Sequence, residues 1–320
     1  MRQLPAYKTT LFLMVCVLAV YGLSVWKKAE SYHHWQQHPQ AYFVDDMPVM
    51  SSMDAYHWLK MARDLDAGHL GKGLINNTKG YPDGIEYYDP NLLAHLISFG
   101  ARSTDGDYYL SGVILVTLLG GLFVFPLFFY FQRLGLGVAA IIGGLIALFS
   151  RAYYERSGIG FVDTDMLNLF FPFAVACFIL LIDREASPRR NLLLAAGAGG
   201  MMFLYNWWYE QPGIMLVFLL VMFLYLLLGR VPWKQMLLLL SVFVLCSGPI
   251  YATYSIESVL VFLRAYFSSS SSGAIVWPGV MELIAEAQMF EPLVVLKRIH
   301  ELLPMALAGA AGVLYLLLRY

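Results

Sequence analysis

The sequence predicts an all-α polytopic membrane protein, and two observations support this fold class. The 320-residue chain is 59% hydrophobic and only 13% charged, which lies outside the usual range of soluble globular domains. Its apolar residues are gathered into runs close to the roughly 20 residues that a helix needs to cross the hydrocarbon core. The net charge of -1 gives no basic surface for nucleic acid, so we expect membrane lipid and no nucleic acid as partners.

Apolar runs along the chain predict about eight transmembrane helices. They cover residues 9–26, 109–131, 134–150, 166–182, 191–208, 212–229, 233–254 and 302–318. The first run follows Arg2 and Lys8 and precedes no small-residue cleavage site, so it predicts a retained helix and not a removed signal peptide. The run at 134–150 is short and rich in glycine and alanine, which favours close helix packing.

Basic residues in the short loops predict the orientation. They share one side of the membrane with the N-terminus, and they are Arg133, Arg184, Arg189, Arg190, Arg230 and Lys234. The positive-inside rule makes that side cytoplasmic. The long loops 27–108 and 255–301 then lie outside, together with 151–165 and the turn at 208–212. We expect the first loop to be ordered and to lie on the membrane, because Ala55–Leu65 is amphipathic.

The triplet Asp163-Thr164-Asp165, within YYERSGIGFVDTDMLNLFFP, is the most informative feature of the chain. Charged groups at the edge of a bilayer are costly and are usually kept there for function. Two carboxylates at this position suggest a divalent cation, and the cation suggests a phosphorylated partner. The pattern alone also permits two loop acids that are simply hydrated.

Further acids lie in the other external loops, and they are Asp45, Asp46, Asp54, Asp64, Glu282, Glu286 and Glu291. Asp54 begins a helical stretch, where an N-cap is the commonest role of aspartate. Glu286 lies in an amphipathic stretch, where a solvated position is the default. His33, His34 and His38 are weak metal candidates without a matching second ligand pair. The pair Trp207-Trp208 also fits an interfacial aromatic belt.

The segment YYERSGIGFVDTDMLNLFFP, which begins in the second external loop (151–165), resembles part of the catalytic subunit of bacterial, PglB-type oligosaccharyltransferases. In that family a YYxR stretch leads into DTDML. Three other segments resemble family motifs in the same order: MDAYHWLKMARDL in the first loop, YNWWYEQP at the end of a helix, and LIAEAQ in the later loop. The last one departs from the family pattern, since Leu283 replaces a threonine. The resemblance implies a GT-C-type glycosyltransferase membrane domain over residues 1–320.

The same resemblance implies a function, namely transfer of an oligosaccharide from a polyprenyl diphosphate to the asparagine of an N-x-S/T acceptor. It assigns Asp54 and Glu286 as catalytic carboxylates, and Asp54, Asp163, Asp165 and Glu286 as ligands of Mg²⁺ or Mn²⁺. Arg156 matches a loop arginine that binds an acid or the donor diphosphate. The site would face the periplasmic side of the inner (plasma) membrane.

Two further expectations follow from the resemblance. Arg298 lies twelve residues after Glu286, where some relatives carry an arginine that binds an acidic residue of the acceptor peptide. Such enzymes also continue into a periplasmic domain with a W-W-D-Y-G motif, which these 320 residues lack. We therefore expect only the N-terminal membrane part here, without the C-terminal periplasmic domain, and no activity of this chain alone.

Two alternatives stay open at this point. Another glycosyltransferase with a polyprenyl-phosphate donor, such as a protein O-mannosyltransferase or a lipid A sugar transferase, would use first-loop acids, and Asp45-Asp46 would fit. A non-catalytic membrane subunit or a transporter would instead require charged residues within the spans. The chain has few of these, which disfavours the subunit and the transporter, and the DTDM match argues against the other glycosyltransferases.

Overall fold

The structure, a computed structural model, describes residues 6–71, 74–76, 82–86, 90–209 and 213–251, together with short runs and single positions between 253 and 315. Glu286 and Arg298 lie outside the described residues, as does nearly all of the predicted loop 255–301. The predicted span 302–318 is described only in part, between residues 304 and 315.

The described part of the chain is predominantly helical. Its α-helices, α1 to α12 in chain order, are Ala6–Gln37, Pro39–Tyr42, Met53–Asp66, Leu92–Ala101, Tyr108–Leu119, Val124–Arg133, Gly137–Phe149, Arg151–Arg156, Phe170–Leu180, Pro188–Trp208, Ile214–Leu228 and Trp233–Ser247. A 3₁₀ turn, Thr164–Leu167, precedes α9. Two small antiparallel hairpins pair β1 (Phe43–Val44) with β2 (Met47–Pro48) and β3 (Ile75–Asn76) with β4 (Ile85–Glu86).

Two helical segments of the described part are long and apolar enough to cross a membrane. They are Thr9–Gln37 and Tyr108–Arg133, and a third results if the bent pair Trp233–Ser247 and Pro249–Glu257 is taken as one span. The predicted runs between residues 134 and 229 also form helices, but three of them are shorter apolar helices and α10 is less apolar. The predicted fold class is therefore confirmed at the level of a helical membrane protein, and the number of eight spans is not.

Several helix ends differ from the predicted runs for local reasons. Helix α1 continues to Gln37 because no glycine or proline interrupts residues 27–37, so the segment between α1 and α3 begins near Pro39. Helix α9 starts only at Phe170, since the side chain of Asp163 caps the preceding 3₁₀ turn instead. Helix α12 ends before Gly248, whose φ of +87° a helix cannot accommodate.

Helices α3 and α4 share one hydrophobic core with the segment around the acidic triplet. Leu59 of α3 and Ile97 of α4 belong to the same buried cluster as Val162 and Met166, which flank the acidic triplet. Gly112 of α5 permits this packing, because a Cβ atom there would lie 3.0 Å from Val162 and 3.1 Å from Leu59. The segment that carries Asp163 is thus fixed from both sides by apolar contacts, and α3 is held against it.

Lys28 is a charged side chain buried inside the protein, with only 1% of it exposed. Its Nζ donates a hydrogen bond to the carbonyl oxygen of Val116 at 3.3 Å and lies against Gly120. It forms no salt bridge with any carboxylate of the described residues. A buried charge without an ionic partner is costly, so one carbonyl offsets little of its desolvation.

We expect Lys28→Met to stabilise the fold by about 1–3 kcal/mol, because the thioether fills the same space without the desolvation cost. Thermal unfolding of residues 1–320 in detergent measures the change. Lys27→Met is the matched control, since Lys27 is 48% exposed and paired with Glu30 at 2.7 Å, and it should change the midpoint little. A lower midpoint for Lys28→Met alone would mean that the ammonium group stabilises the helix junction.

Candidate active site

Helix α3 presents Asp54 at its N-terminal end. Ser52 is the N-cap, and its hydroxyl accepts a hydrogen bond from the backbone N–H of Ala55 at 3.2 Å. Asp54 is therefore not the N-cap; it lies in the first turn with an exposed side chain. Among the described residues, no hydrogen bond or ion pair engages its carboxylate. A negative charge is favoured there by the helix dipole, and the carboxylate is accessible to a ligand.

The first and second loops meet at Trp58, one helical turn after Asp54. The indole Nε1–H of Trp58 donates a hydrogen bond to Oδ1 of Asp163 at 2.9 Å. The backbone N–H of Ser51, just before α3, donates to the carbonyl oxygen of Gly160 at 3.0 Å. Residues i and i+4 of a helix share one face. Two acids predicted to act together, Asp54 and Asp163, are thus brought to adjoining elements.

Asp163 is positioned by its own turn as well as by Trp58. Its Oδ1 accepts hydrogen bonds from the backbone N–H of Thr164 at 2.6 Å and from the Thr164 hydroxyl at 3.3 Å. These bonds close the 3₁₀ turn that follows. Oδ2 accepts no hydrogen bond from any described residue. The carboxylate therefore has one oxygen engaged by the protein and one available for a ligand.

Asp165 bonds to one side chain before its turn and to one directly after it. Its Oδ2 accepts a hydrogen bond from Nη1 of Arg156 at 2.7 Å, and its Oδ1 accepts one from Nδ2 of Asn168 at 3.0 Å. The side chains of Arg156 and Asp165 are 57% and 23% exposed. Such an exposed pair stabilises little by itself, about 0–1 kcal/mol. The pair places a cationic side chain next to the acidic turn.

Trp208 supports the acidic turn from helix α10. It is fully buried, and its Nε1–H donates to the carbonyl oxygen of Thr164 at 2.7 Å. Its own carbonyl accepts a hydrogen bond from Nδ2 of Asn91 at 3.3 Å, and Trp207 donates to the carbonyl of Pro90 at 3.1 Å. Trp208 is therefore part of the protein interior and not of an aromatic belt at the membrane surface.

Tyr153 ties the same turn to the membrane helices. Its hydroxyl lies 2.9 Å from the carbonyl oxygen of Gly120 and 3.1 Å from that of Met166. Burial raises the pKa of Tyr153, so it stays protonated and can donate to these acceptors. Sequence reasoning assigned no role to Tyr153 or Trp58. Both lie inside the recognised motifs, but nothing in their spacing indicates which atoms they contact.

Among the described residues, the other predicted acids, Asp45, Asp46 and Asp64, have structural roles. Asp45 and Asp46 have φ values of 48° and 65° and form the turn between β1 and β2, a conformation that aspartate tolerates better than most residues. Asp64 forms an ion pair with Lys60 one turn earlier in α3. His33 contacts Gln37, and the rings of His34 and His38 lie 4.4 Å apart. Within the described residues, no group of three His, Cys, Asp or Glu side chains is arranged to hold a metal ion.

An open cavity of about 450 Å³ lies apart from the acidic turn, at the C-terminal end of α3. Asp66 lines it and accepts hydrogen bonds from Ser98 at 2.8 Å, Tyr108 at 3.1 Å and Arg102 at 3.4 Å. Burial alone would raise the pKa of Asp66, but these donors lower it. The only carboxylate among the described residues that line this cavity already accepts three hydrogen bonds, so the cavity is a weaker candidate site than the acidic turn.

Comparison with known proteins shows which family the chain matches. A family model described as the N-terminal part of oligosaccharyl transferase STT3 matches residues 12–299. An undecaprenyl-diphosphooligosaccharide–protein glycotransferase of Campylobacter jejuni serotype O:2 is 24% identical over 192 residues, which are 59% of this chain and 24% of the relative. The same enzyme from strain RM1221 matches equally. The chain thus spans about a quarter of the length of these relatives.

A solved structure shares the fold. It is the archaeal oligosaccharyltransferase AglB from Archaeoglobus fulgidus in complex with an inhibitory peptide and a dolichol-phosphate, with a TM-score of 0.54 and 15% identity. The alignment covers 84% of this chain and 35% of the archaeal one. Because the family model spans nearly the whole chain, including both acidic loops, the protein belongs to the oligosaccharyl transferase STT3 family, of which it contains the N-terminal region.

Proposed function

We propose that this chain carries the catalytic carboxylates of a glycosyltransferase that moves an oligosaccharide from a polyprenyl diphosphate to the asparagine of an N-x-S/T acceptor. The observation that carries the proposal is the hydrogen bond from Trp58 to Asp163, because it joins the loop of Asp54 to the loop of the acidic triplet. The names of the Campylobacter relatives and the peptide and dolichol-phosphate bound to the archaeal enzyme support the same class of donor and acceptor.

A divalent cation fits the groups available at this site. Asp54 has an accessible carboxylate, and Oδ2 of Asp163 accepts no hydrogen bond from the described part of the chain. Oxygen donors of this kind suit Mg²⁺ or Mn²⁺ better than zinc. We assign Asp54, Asp163 and Glu286 as ligands, with Asp165 in support. When bound, the cation would neutralise the charge that develops on the diphosphate leaving group.

The carboxylates address the main difficulty of the reaction. An amide nitrogen is a poor nucleophile because its lone pair is conjugated with the carbonyl group, and breaking that conjugation costs up to about 18–20 kcal/mol. In our proposal, Asp54 and Glu286 each accept a hydrogen bond from one of the two N–H groups of the acceptor amide. Such charge-assisted hydrogen bonds stabilise the rotated amide. We assign the diphosphate contact to Arg156, which Asp165 holds beside the turn.

The proposal includes a location in the membrane. We infer that the chain crosses the inner (plasma) membrane about eight times and that Asp54 and the acidic triplet face the periplasmic side, as the basic loops predict. Single cysteines in a background without the native ones test this orientation. A cysteine at position 54 should react with an impermeant reagent added outside, and one at position 189 should react only from the cytoplasmic side.

Acceptor selection is assigned to Arg298. An arginine near a low-dielectric groove would bind an Asp or Glu two positions before the acceptor asparagine through a charge-assisted bond. A complete enzyme that contains this chain should then prefer D/E-x-N-x-S/T peptides, and Arg298→Ala should remove the preference. Equal rates with acidic and neutral peptides in the unmodified enzyme would contradict this assignment.

The proposed function is tested by glycan transfer to a peptide in a complete enzyme that contains this chain. Asp54→Asn should lower the rate by at least about 100-fold, because it weakens both the cation site and the amide contact. Asp45→Asn is the matched control, since asparagine tolerates the same turn conformation and the residue lies outside the site. An active Asp54→Asn enzyme together with an inactive Asp45→Asn enzyme would favour an O-mannosyltransferase-like use of the first loop.

A further inference from the structure

The hydrogen bonds of Asp163 are divided unevenly between its two oxygens. Oδ1 receives all three protein donors: Trp58 Nε1 at 2.9 Å, Thr164 N at 2.6 Å and Thr164 Oγ1 at 3.3 Å. Oδ2 receives none from the described residues. A carboxylate oxygen offers about two lone-pair sites, so Oδ1 is fully used. The carboxylate presents Oδ2 alone to any further ligand.

The donor from Trp58 differs from the other two in origin. The Thr164 donors belong to the same turn and would form wherever that turn forms. Trp58 belongs to a helix 105 residues earlier in the chain, so its bond exists only when the first loop is docked. An indole N–H is a donor and never an acceptor, which means that Trp58 can orient Asp163 without competing for a cation.

The packing of α3 fixes the position of the indole. Ala55, Leu59 and Ala62 are buried on the inner face of the helix, and Leu59 joins the core that contains Val162. The ring of His57 lies 4.9 Å from that of Trp58 in an edge-on arrangement. With the helix and the ring both held, the direction of the Nε1–H bond is set by the fold and not by the ligand.

We propose that Trp58 is a positioning residue, which holds Asp163 so that Oδ2 binds the divalent cation in a monodentate manner. This inference rests on the proposed function, since it requires Asp163 to be a metal ligand. Groups that orient a metal ligand through a hydrogen bond typically change metal affinity by about 10–100-fold when removed. If Trp58 only filled space, its replacement by phenylalanine would remove part of the packing and leave the metal affinity unchanged.

The test is direct binding of Mn²⁺ to residues 1–320 in detergent, followed by the electron paramagnetic resonance of the free ion and by competition with Mg²⁺. Trp58→Phe keeps an aromatic ring and removes the N–H, and we expect it to weaken Mn²⁺ binding about tenfold. Trp26→Phe is the control, because Trp26 is 59% exposed on α1, and it should bind Mn²⁺ as the unmodified chain does. Asp163→Asn should abolish the binding.

A second measurement uses only the unmodified chain, so it does not depend on whether a variant folds. With nitrogen-15-labelled indole groups, the Trp58 resonance of the unmodified chain should shift when Mg²⁺ is added, whereas that of Trp26 should not. Two results would overturn the role of Trp58 alone. One is loss of Mn²⁺ binding in Asp163→Asn together with normal binding in Trp58→Phe. The other is a Trp58 resonance that does not shift when Mg²⁺ is added. Binding that is absent from the unmodified chain or unchanged in Asp163→Asn would overturn the proposed cation site, and the role of Trp58 with it.

Discussion

Replacing Asp163 by alanine should reduce glycan transfer by a complete enzyme at least about 100-fold, because a ligand oxygen is lost together with the cap of the acidic turn. The side chain makes two kinds of contact that alanine cannot replace. Its Oδ1 closes the turn onto Thr164 and receives the indole of Trp58. Its Oδ2 is the oxygen that we assign to the cation.

Asp163→Asn separates these two effects. Asparagine retains a carbonyl oxygen that can accept the bonds now made to Oδ1, but it carries no charge and cannot replace a carboxylate as a ligand of Mg²⁺. The asparagine variant should therefore unfold at nearly the same temperature as the unmodified protein and still be inactive. Activity is measured as peptide glycosylation at saturating Mn²⁺. Substantial transfer by Asp163→Asn would contradict the assignment of Asp163 as a ligand.

The second large effect is expected at Trp208, where alanine should destabilise the fold by about 3–5 kcal/mol. The side chain is 0% exposed, so its removal leaves a cavity between α9, α10 and the acidic turn. Phe171 loses a ring neighbour at 6.2 Å, and the Thr164 carbonyl loses its indole donor. Thermal or denaturant unfolding of residues 1–320 in detergent measures the loss.

Two variants show which part of the Trp208 side chain matters. Trp208→Phe keeps most of the ring volume and removes the N–H, so we expect a loss of about 1–3 kcal/mol from the unpaired Thr164 carbonyl. Trp207→Ala is the matched control on the same helix, because Trp207 is only partly buried and bonds to Pro90 instead. If Trp207→Ala destabilised the protein as much as Trp208→Ala, the support of the acidic turn by Trp208 would be refuted.

The sequence alone determined the class of the protein and the identity of the acidic motif. Apolar runs determine helices because backbone groups in a bilayer must be satisfied within the helix itself. The helical stretch around Ala55–Leu65 was likewise predictable, since its amphipathic pattern is local, and the structure confirms it as part of α3. The DTDM segment was recognisable because a charged pair beside an apolar run is unusual.

Only the tertiary structure decided how the motif is held. The bonds from Trp58 to Asp163, from Trp208 to Thr164 and from Tyr153 to Gly120 join residues that are 105, 44 and 33 positions apart. Helix periodicity fixes which face a residue occupies, but it does not fix which element that face meets. The buried Lys28 is a further example, because its cost depends entirely on what surrounds it. Composition and spacing therefore determined the chemistry that the protein offers, and long-range packing decided its geometry.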